Sequence, residues 1–136
     1  MSDKQECSGK ADMTPGIVSW NELVSRDPDA SQKFYSQLFG WKIETMNMGP
    51  GKEYTMLKVG ERPAAGLIRT PAEAGPAPTM WMSYVTVPDL SAAVAKAKAL
   101  GAKICKDVTA LPMGRFAIIS DPQGAGIGLW EFTKQA

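Results

Sequence analysis

The residues Leu38-Phe39-Gly40-Trp41-Lys42-Ile43 return in the second half of the chain as Ala99-Leu100-Gly101-Ala102-Lys103-Ile104. Such a repeat constrains the fold strongly, because each copy must build the same supersecondary unit. The surrounding residues extend the match. Ile17 to Ser25 alternates as a strand should, and Asp27-Pro28 follows as an N-cap with proline at the first helical position. Phe34, Tyr35, Leu38 and Phe39 fall at helical spacing, and Gly40 stops the helix. The second copy opens with a strand-like run from Met80 to Val87. Asp89 is its N-cap, Leu90, Ala93, Val94, Ala97 and Leu100 mark one helical face, and Gly101 closes it.

Three short strands follow each helix. In the first half they are Trp41–Met46, Glu53–Val59 and Ala64–Ile68, separated by turns at Gly49-Pro50-Gly51 and Gly60-Glu61. In the second they are Ala102–Asp107, Arg115–Ser120 and Gly126–Phe132, with Asp121-Pro122-Gln123-Gly124 supplying a type I turn. The chain thus reads as an α+β protein of two tandem βαβββ modules, spanning residues 16–70 and 80–133. Residues 1–15 read as a disordered polar tail, and the Pro/Ala-rich stretch 71–79 as an extended connector.

Composition narrows the function. The 136 residues are 44% hydrophobic with a net charge of +1, which fits one compact core and gives no basic patch for nucleic acid. No apolar run is long enough for a membrane span and the first residues carry no apolar signal region, so a cytoplasmic protein is expected. The two cysteines, Cys7 in the polar tail and Cys105 in a strand-like run, are expected to be free thiols. Histidine is absent. That removes the commonest transition-metal ligand and the usual neutral-pH base, and with them serine-type triads and Cys–His dyads. The glycines form no phosphate-cradling loop, and Ser83 and Ser120 have no histidine to activate them.

Three strings then resemble one family. Asp27-Pro28-Asp29-Ala30-Ser31-Gln32-Lys33-Phe34-Tyr35 with Leu38-Phe39-Gly40-Trp41 resembles the first-module signature of vicinal-oxygen-chelate (glyoxalase/bleomycin-resistance/dioxygenase-like) proteins. Asp89-Leu90-Ser91-Ala92-Ala93-Val94 through Ala99-Leu100-Gly101-Ala102 resembles its second-module counterpart. Gly114-Arg115-Phe116-Ala117-Ile118-Ile119, Asp121-Pro122-Gln123-Gly124 and Gly128-Leu129-Trp130-Glu131 are similar to a glyoxalase-like branch. The resemblance covers residues 16–133. It implies curved mixed sheets around a cleft, and a homodimer. It also implies four metal-ligand positions in metal-dependent members, one on the first and one on the last strand of each module.

Carried over by position, those four sites are Trp20, Gly66, Met82 and Gly128. None is a metal ligand, so no metal site and no cofactor are expected; a divalent metal stays open only through a non-standard site. Trp20 and Met82 offer a polarizable wall and the two glycines should leave room, which suits a flat or apolar small molecule. Strand alternation adds Glu22, Tyr84 and Trp130 to the wall. Glu22 is the candidate base, since a carboxylate on an apolar face has a raised pKa when unpaired. Arg115 is a candidate anchor for an anionic ligand, or a partner for Glu22. Trp41 should plug the core and Trp81 should pack outside its strand. The leading expectation is a metal-free protein that sequesters or delivers a small aromatic or apolar molecule. The alternatives are a lyase, isomerase or dioxygenase-like enzyme of the same fold, and a subunit-contact module without a ligand.

Overall fold

The computed structural model describes residues 14–47, 50 and 53–133. The tail up to residue 13 with Cys7, and Met48, Gly49 and Gly51, lie outside the described residues. The described residues form the order β1 (Val18–Ser25), α1 (Pro28–Phe39), β2 (Lys42–Asn47), β3 (Glu53–Val59), β4 (Arg62–Arg69), β5 (Met80–Thr86), α2 (Leu90–Ala99), β6 (Lys103–Leu111), β7 (Gly114–Ser120) and β8 (Gly126–Phe132). This is βαβββ twice, as the repeat predicts. β6 runs four residues beyond its predicted end at Asp107, with irregular pairing against β7 between Ile104 and Thr109.

Two compact units result, and the division falls inside β1 and β5 rather than at the connector. Residues Asn21–Trp81 form the first unit; residues 14–20 and 82–133 belong to the second. The hydrogen bonds explain both shifts. The Gly16 N–H donates to the Thr86 carbonyl at 2.8 Å and the Thr86 N–H to the Ile17 carbonyl at 2.9 Å, so the first described residues pair with β5. The stretch 71–79 is tied to the first unit by Arg26. Its guanidinium donates to the carbonyls of Ala77 and Gly75, and its backbone N–H to the Thr79 hydroxyl. One turn of 3₁₀ helix, Ala72–Ala74, sits in this stretch.

The first unit's sheet has the order β2-β3-β4-β1, with β1 parallel to β4 and the other pairs antiparallel. Its core is Leu23, Leu57, Ala65 and Leu67, against which Tyr35 and Trp41 pack. The second unit repeats the plan as β5-β8-β7-β6. Its core is Leu90, Val94, Ala117, Ile119 and Leu129. In both units the apolar residues alternate with residues on the opposite sheet face, and that opposite face carries the predicted site.

The helices begin as predicted and dock differently. Asp27 accepts from the Ala30 N–H at 3.2 Å and Asp89 from the Ala92 N–H at 3.1 Å. Gly40 takes the left-handed conformation at φ 74°, which ends α1 at no cost to a residue without Cβ. α2 buries Leu90 and Val94. α1 buries no residue fully. Hydroxyls hold its start: the Ser25 and Ser31 hydroxyls share a 2.7 Å bond, and the Asp27 N–H donates to Ser25 Oγ at 3.0 Å. Phe34, Leu38 and Phe39, which fall at helical spacing, are more than half exposed.

Arg26 generates a prediction. In Arg26→Ala the amide hydrogens of residues 72–79 exchange faster, while those of β3 and β4 keep their protection. Hydrogen exchange read by mass spectrometry checks this.

Candidate functional site

In the second unit Tyr84 stands directly opposite Gly128, and Trp130 opposite both Thr86 and Phe116. The Tyr84 ring covers Gly128 so closely that a Cβ there would overlap it. Met82 covers Gly126 more loosely, with its Cε 3.7 Å from where a Cβ would stand. The Trp130 ring lies over Gly114, 2.8 Å from that residue's Cβ position. Tyr84 meets Phe116 edge-on at 6.4 Å between centroids, and Trp130 meets Phe132 edge-on at 5.6 Å. One sheet face is therefore an aromatic wall. Met82 and Tyr84 are buried, and Phe116, Trp130 and Phe132 are half-buried. Edge-on pairs of this kind hold each other's orientation and leave ring faces for stacking.

The first unit has the same plan with different chemistry. Glu22 stands opposite Gly66, as Tyr84 stands opposite Gly128. The other neighbour of Gly66 is Met56 on β3. Two residues before Met56, Tyr54 swings its ring over Gly66, and its hydroxyl donates to Glu22 Oε2 at 2.8 Å. Glu22 is 7% exposed. A buried carboxylate needs such donors, since an unmade hydrogen bond there costs about 1–3 kcal/mol.

These placements correct two expectations. The glycines do not leave open space: the volume at 66 belongs to Tyr54 and that at 128 to Tyr84. Arg115 is not on the wall. Alternation puts it with Ala117 and Ile119, on the helix side of β7. Its guanidinium grips Glu131 with two of its nitrogens, Nη2 donating to Oε1 at 2.9 Å and Nε to Oε2 at 3.2 Å. Glu131 Oε1 also accepts the Leu90 N–H at 2.7 Å, so the pair anchors the start of α2. The bond to Glu131 raises the Arg115 pKa above its ordinary value.

Of the remaining predicted residues, Met82, Tyr84, Gly128 and Trp130 come together on the second unit's wall. Glu22 lies in the first unit with Tyr54 and Gly66, and Trp20 is half-buried and belongs to the second unit. The sequence reading missed Tyr54, Phe116 and Phe132. The signal for the last two was present: the Asp121–Gly124 turn pairs Ser120 with Gly126, and counting outward sets Phe116 beside Trp130. Among the described residues no group of three or more Cys, Asp or Glu side chains is arranged to hold a metal ion. The four family ligand positions do not fit one either, because Trp and Met lack a hard donor and the glycines have none. Cys105 is exposed on β6 and forms no disulfide among the described residues. No described helix is long and apolar enough to cross a membrane.

The glycine packing makes a graded prediction. Gly66→Ala and Gly128→Ala force a tyrosine ring aside and should each destabilise by about 1–3 kcal/mol. Gly126→Ala meets only an ordinary contact and should change stability by less than about 1 kcal/mol. Urea unfolding of the three variants checks the order.

Comparison with known proteins agrees with this architecture. A family model, Glyoxalase/Bleomycin resistance protein/Dioxygenase superfamily, matches residues 17–129. The glyoxylase-named protein CFP32 of Mycobacterium tuberculosis is 36% identical over 111 residues, covering 81% of this chain and 42% of that protein. The anthracycline biosynthesis protein DnrV of Streptomyces peucetius is 30% identical over 129 residues, covering 85% of this chain and 47% of that protein. This chain thus spans less than half the length of either relative. Among solved structures, a Bacillus halodurans protein superposes with a TM-score of 0.63 at 14% identity, covering 90% of this chain and 99% of that one. A methylmalonyl-CoA epimerase from Mycobacterium tuberculosis superposes with 0.59 at 16% identity, covering 92% and 93%. At such identities the superpositions speak for the fold alone, but with the family match the conclusion is direct: the chain belongs to the Glyoxalase/Bleomycin resistance protein/Dioxygenase superfamily.

Proposed function

We propose that this chain binds a flat aromatic small molecule without a metal ion, on the wall of Phe116, Trp130 and Phe132 backed by Met82 and Tyr84. The observation that carries the reading is the tyrosine ring over each glycine at a family ligand position. Where the resemblance implies a carboxylate in metal-dependent members of the family, this chain has a glycine whose side-chain volume a tyrosine ring fills. The half-buried faces of Phe116, Trp130 and Phe132 provide the stacking surface, and the edge-on contacts keep them in place before a ligand arrives. A relative named for anthracycline biosynthesis supports a polycyclic aromatic as the first ligand to try.

A second reading rests on Glu22. A 7% exposed carboxylate accepting a phenol hydrogen bond is placed to take a proton from a carbon acid, with Tyr54 orienting it. This reading makes the chain a lyase- or isomerase-like enzyme of the same superfamily, and it too needs no metal.

Titration with an anthracycline, followed by tryptophan quenching, separates the two. The binding reading expects saturable quenching, weakened roughly two- to tenfold in Trp130→Ala by loss of an aromatic contact worth about 0.5–1.5 kcal/mol, and unchanged in Arg115→Ala. No saturable binding of any aromatic probe in a fluorescence screen would remove it. The enzyme reading expects proton exchange from an activated carbon acid that Glu22→Gln abolishes. Elemental mass spectrometry of protein purified without a His tag should find no stoichiometric metal, and a metal held at one per chain would overturn both.

A further inference from the structure

With Arg115 on the helix side, the cations beside the aromatic wall come from β6. Lys106 stands opposite Ile118 and Lys103 opposite Ser120, in the rows that hold Gly128 and Gly126 on β8. Pairing is irregular on both sides of Lys106 but regular at Lys103, whose neighbour Ile104 packs with the helix-side core. Lys103 is therefore on the wall face. No carboxylate answers it from the other strands of this unit. β5 has no charged residue, and Glu131, the one acid on β7 and β8, is paired with Arg115 on the helix side. Asp107, in the irregular stretch of β6, turns its Oδ1 to the Val108 N–H at 2.7 Å. Lys103 and Ser120 also line one hollow of about 320 Å³, together with Asp121 and Gln123 of the following turn. Asp121 Oδ1 is committed to that turn, accepting from the Gln123 and Ala125 N–H groups at 2.8 and 3.0 Å. The Lys103 ammonium and the Ser120 hydroxyl make no hydrogen bond or ion pair among the described residues.

We infer that the aromatic ligand carries an anionic oxygen group, such as a carboxylate, at one end, and that Lys103 and Ser120 hold that group in the hollow. The inference rests on the wall being the aromatic site and names the class of molecule that fits it. Distance supports it. Ser120 is four residues from Phe116 on one strand face, about 13 Å at some 3.3 Å per residue, the span of three fused rings with one substituent. The floor between them is apolar and low. It consists of Ile118 and of Gly126, where an added Cβ would meet nothing closer than Met82 Cε at 3.7 Å. A ring system stacked on Phe116 and laid along β7 thus brings its far end to an ammonium and a hydroxyl, both donors to an anionic oxygen. Lys103 is exposed, so the contact gives a modest, salt-sensitive gain and acts mainly on orientation and choice of ligand. A cationic substituent placed there would face the same ammonium.

A matched pair of probes tests it: anthraquinone-2-carboxylate and anthraquinone-2-carboxamide, which share one ring system and differ in charge. Both are titrated into the full chain and followed by tryptophan quenching. The wild type should bind the carboxylate about fivefold tighter than the carboxamide at low salt, and high salt should shrink that preference. Lys103→Gln should bring the carboxylate down to the affinity of the carboxamide, and Ser120→Ala should remove part of the preference. Lys96→Gln, which takes the same charge from exposed helix α2, should keep it. Equal binding of the two probes by the wild type overturns the inference and leaves the aromatic wall standing. So does a preference that survives Lys103→Gln, or one that Lys96→Gln reduces as much, since net charge would then explain it. Binding of neither probe removes the wall reading and the inference with it.

Discussion

The rings of Tyr54 and Tyr84 occupy the volume that side chains at positions 66 and 128 would need. Much of the site face depends on this exchange of bulk for glycine. A strand glycine loses packing and costs entropy, which a neighbouring ring laid over the bare backbone restores. The exchange also fixes register. Only with Gly66 between Glu22 and Met56 does Tyr54 reach across two strands to place its hydroxyl on the carboxylate. With Gly128 opposite Tyr84, that ring occupies the glycine's Cβ volume and meets Phe116 edge-on. A one-residue slip in either pair would set a ring against a leucine, Leu67 or Leu129, on the wrong face.

The two units share this device and fill it differently. Opposite the glycine stands a carboxylate in the first unit and a phenol in the second. The ring over the glycine comes from β3 in the first and from β5 in the second. At the positions related by the repeat, Glu22 answers to Tyr84 and Tyr54 to Phe116. So one copy carries a buried hydrogen-bonded charge and the other an aromatic wall, on the same backbone plan. The helices diverge in the same way. α2 is held by Leu90 and Val94 and by the Glu131 carboxylate at its first turn, whereas α1 is held at its start by Ser25 and Ser31. Tyr35 packs against the core from this helix, while Phe34, Leu38 and Phe39 remain more than half exposed.

What was legible in the sequence followed from local signals. Both N-caps, the helix-ending Gly40 and the βαβββ succession of elements along the chain are set by residues a few positions apart, and the structure has them where the pattern puts them. The hairpin of β7 and β8 was legible too, because Asp121 accepts from the Gln123 and Ala125 N–H groups and locks the turn that sets the register. Arg115 was misplaced although the same count was available: it is one residue from Phe116, hence on the other face. Tyr54 on Glu22 was not legible. The bond crosses from β3 over β4 to β1, and β1 joins β4 in parallel, so no turn fixes that register in the sequence. Glycine misled for a related reason. A glycine in a sequence records missing volume at its own position and says nothing about which distant side chain has filled it. The latch on residues 71–79 was hidden likewise, since Arg26 is some fifty residues away along the chain.

Ring and glycine are coupled, and that bears on how firmly the proposed metal-free character is held. Placing a carboxylate at position 66 requires moving Tyr54, and moving Tyr54 breaks its 2.8 Å hydrogen bond to the buried Glu22. At 128 it requires moving Tyr84, which is 7% exposed and packed against Phe116. Each change alone costs packing or a buried hydrogen bond, so the substitutions at these positions are coupled to their neighbours rather than independent. The same coupling keeps the wall rigid. Rings that fill glycine volumes cannot rotate without opening a cavity, so the surface of the proposed site is ordered in advance of any ligand.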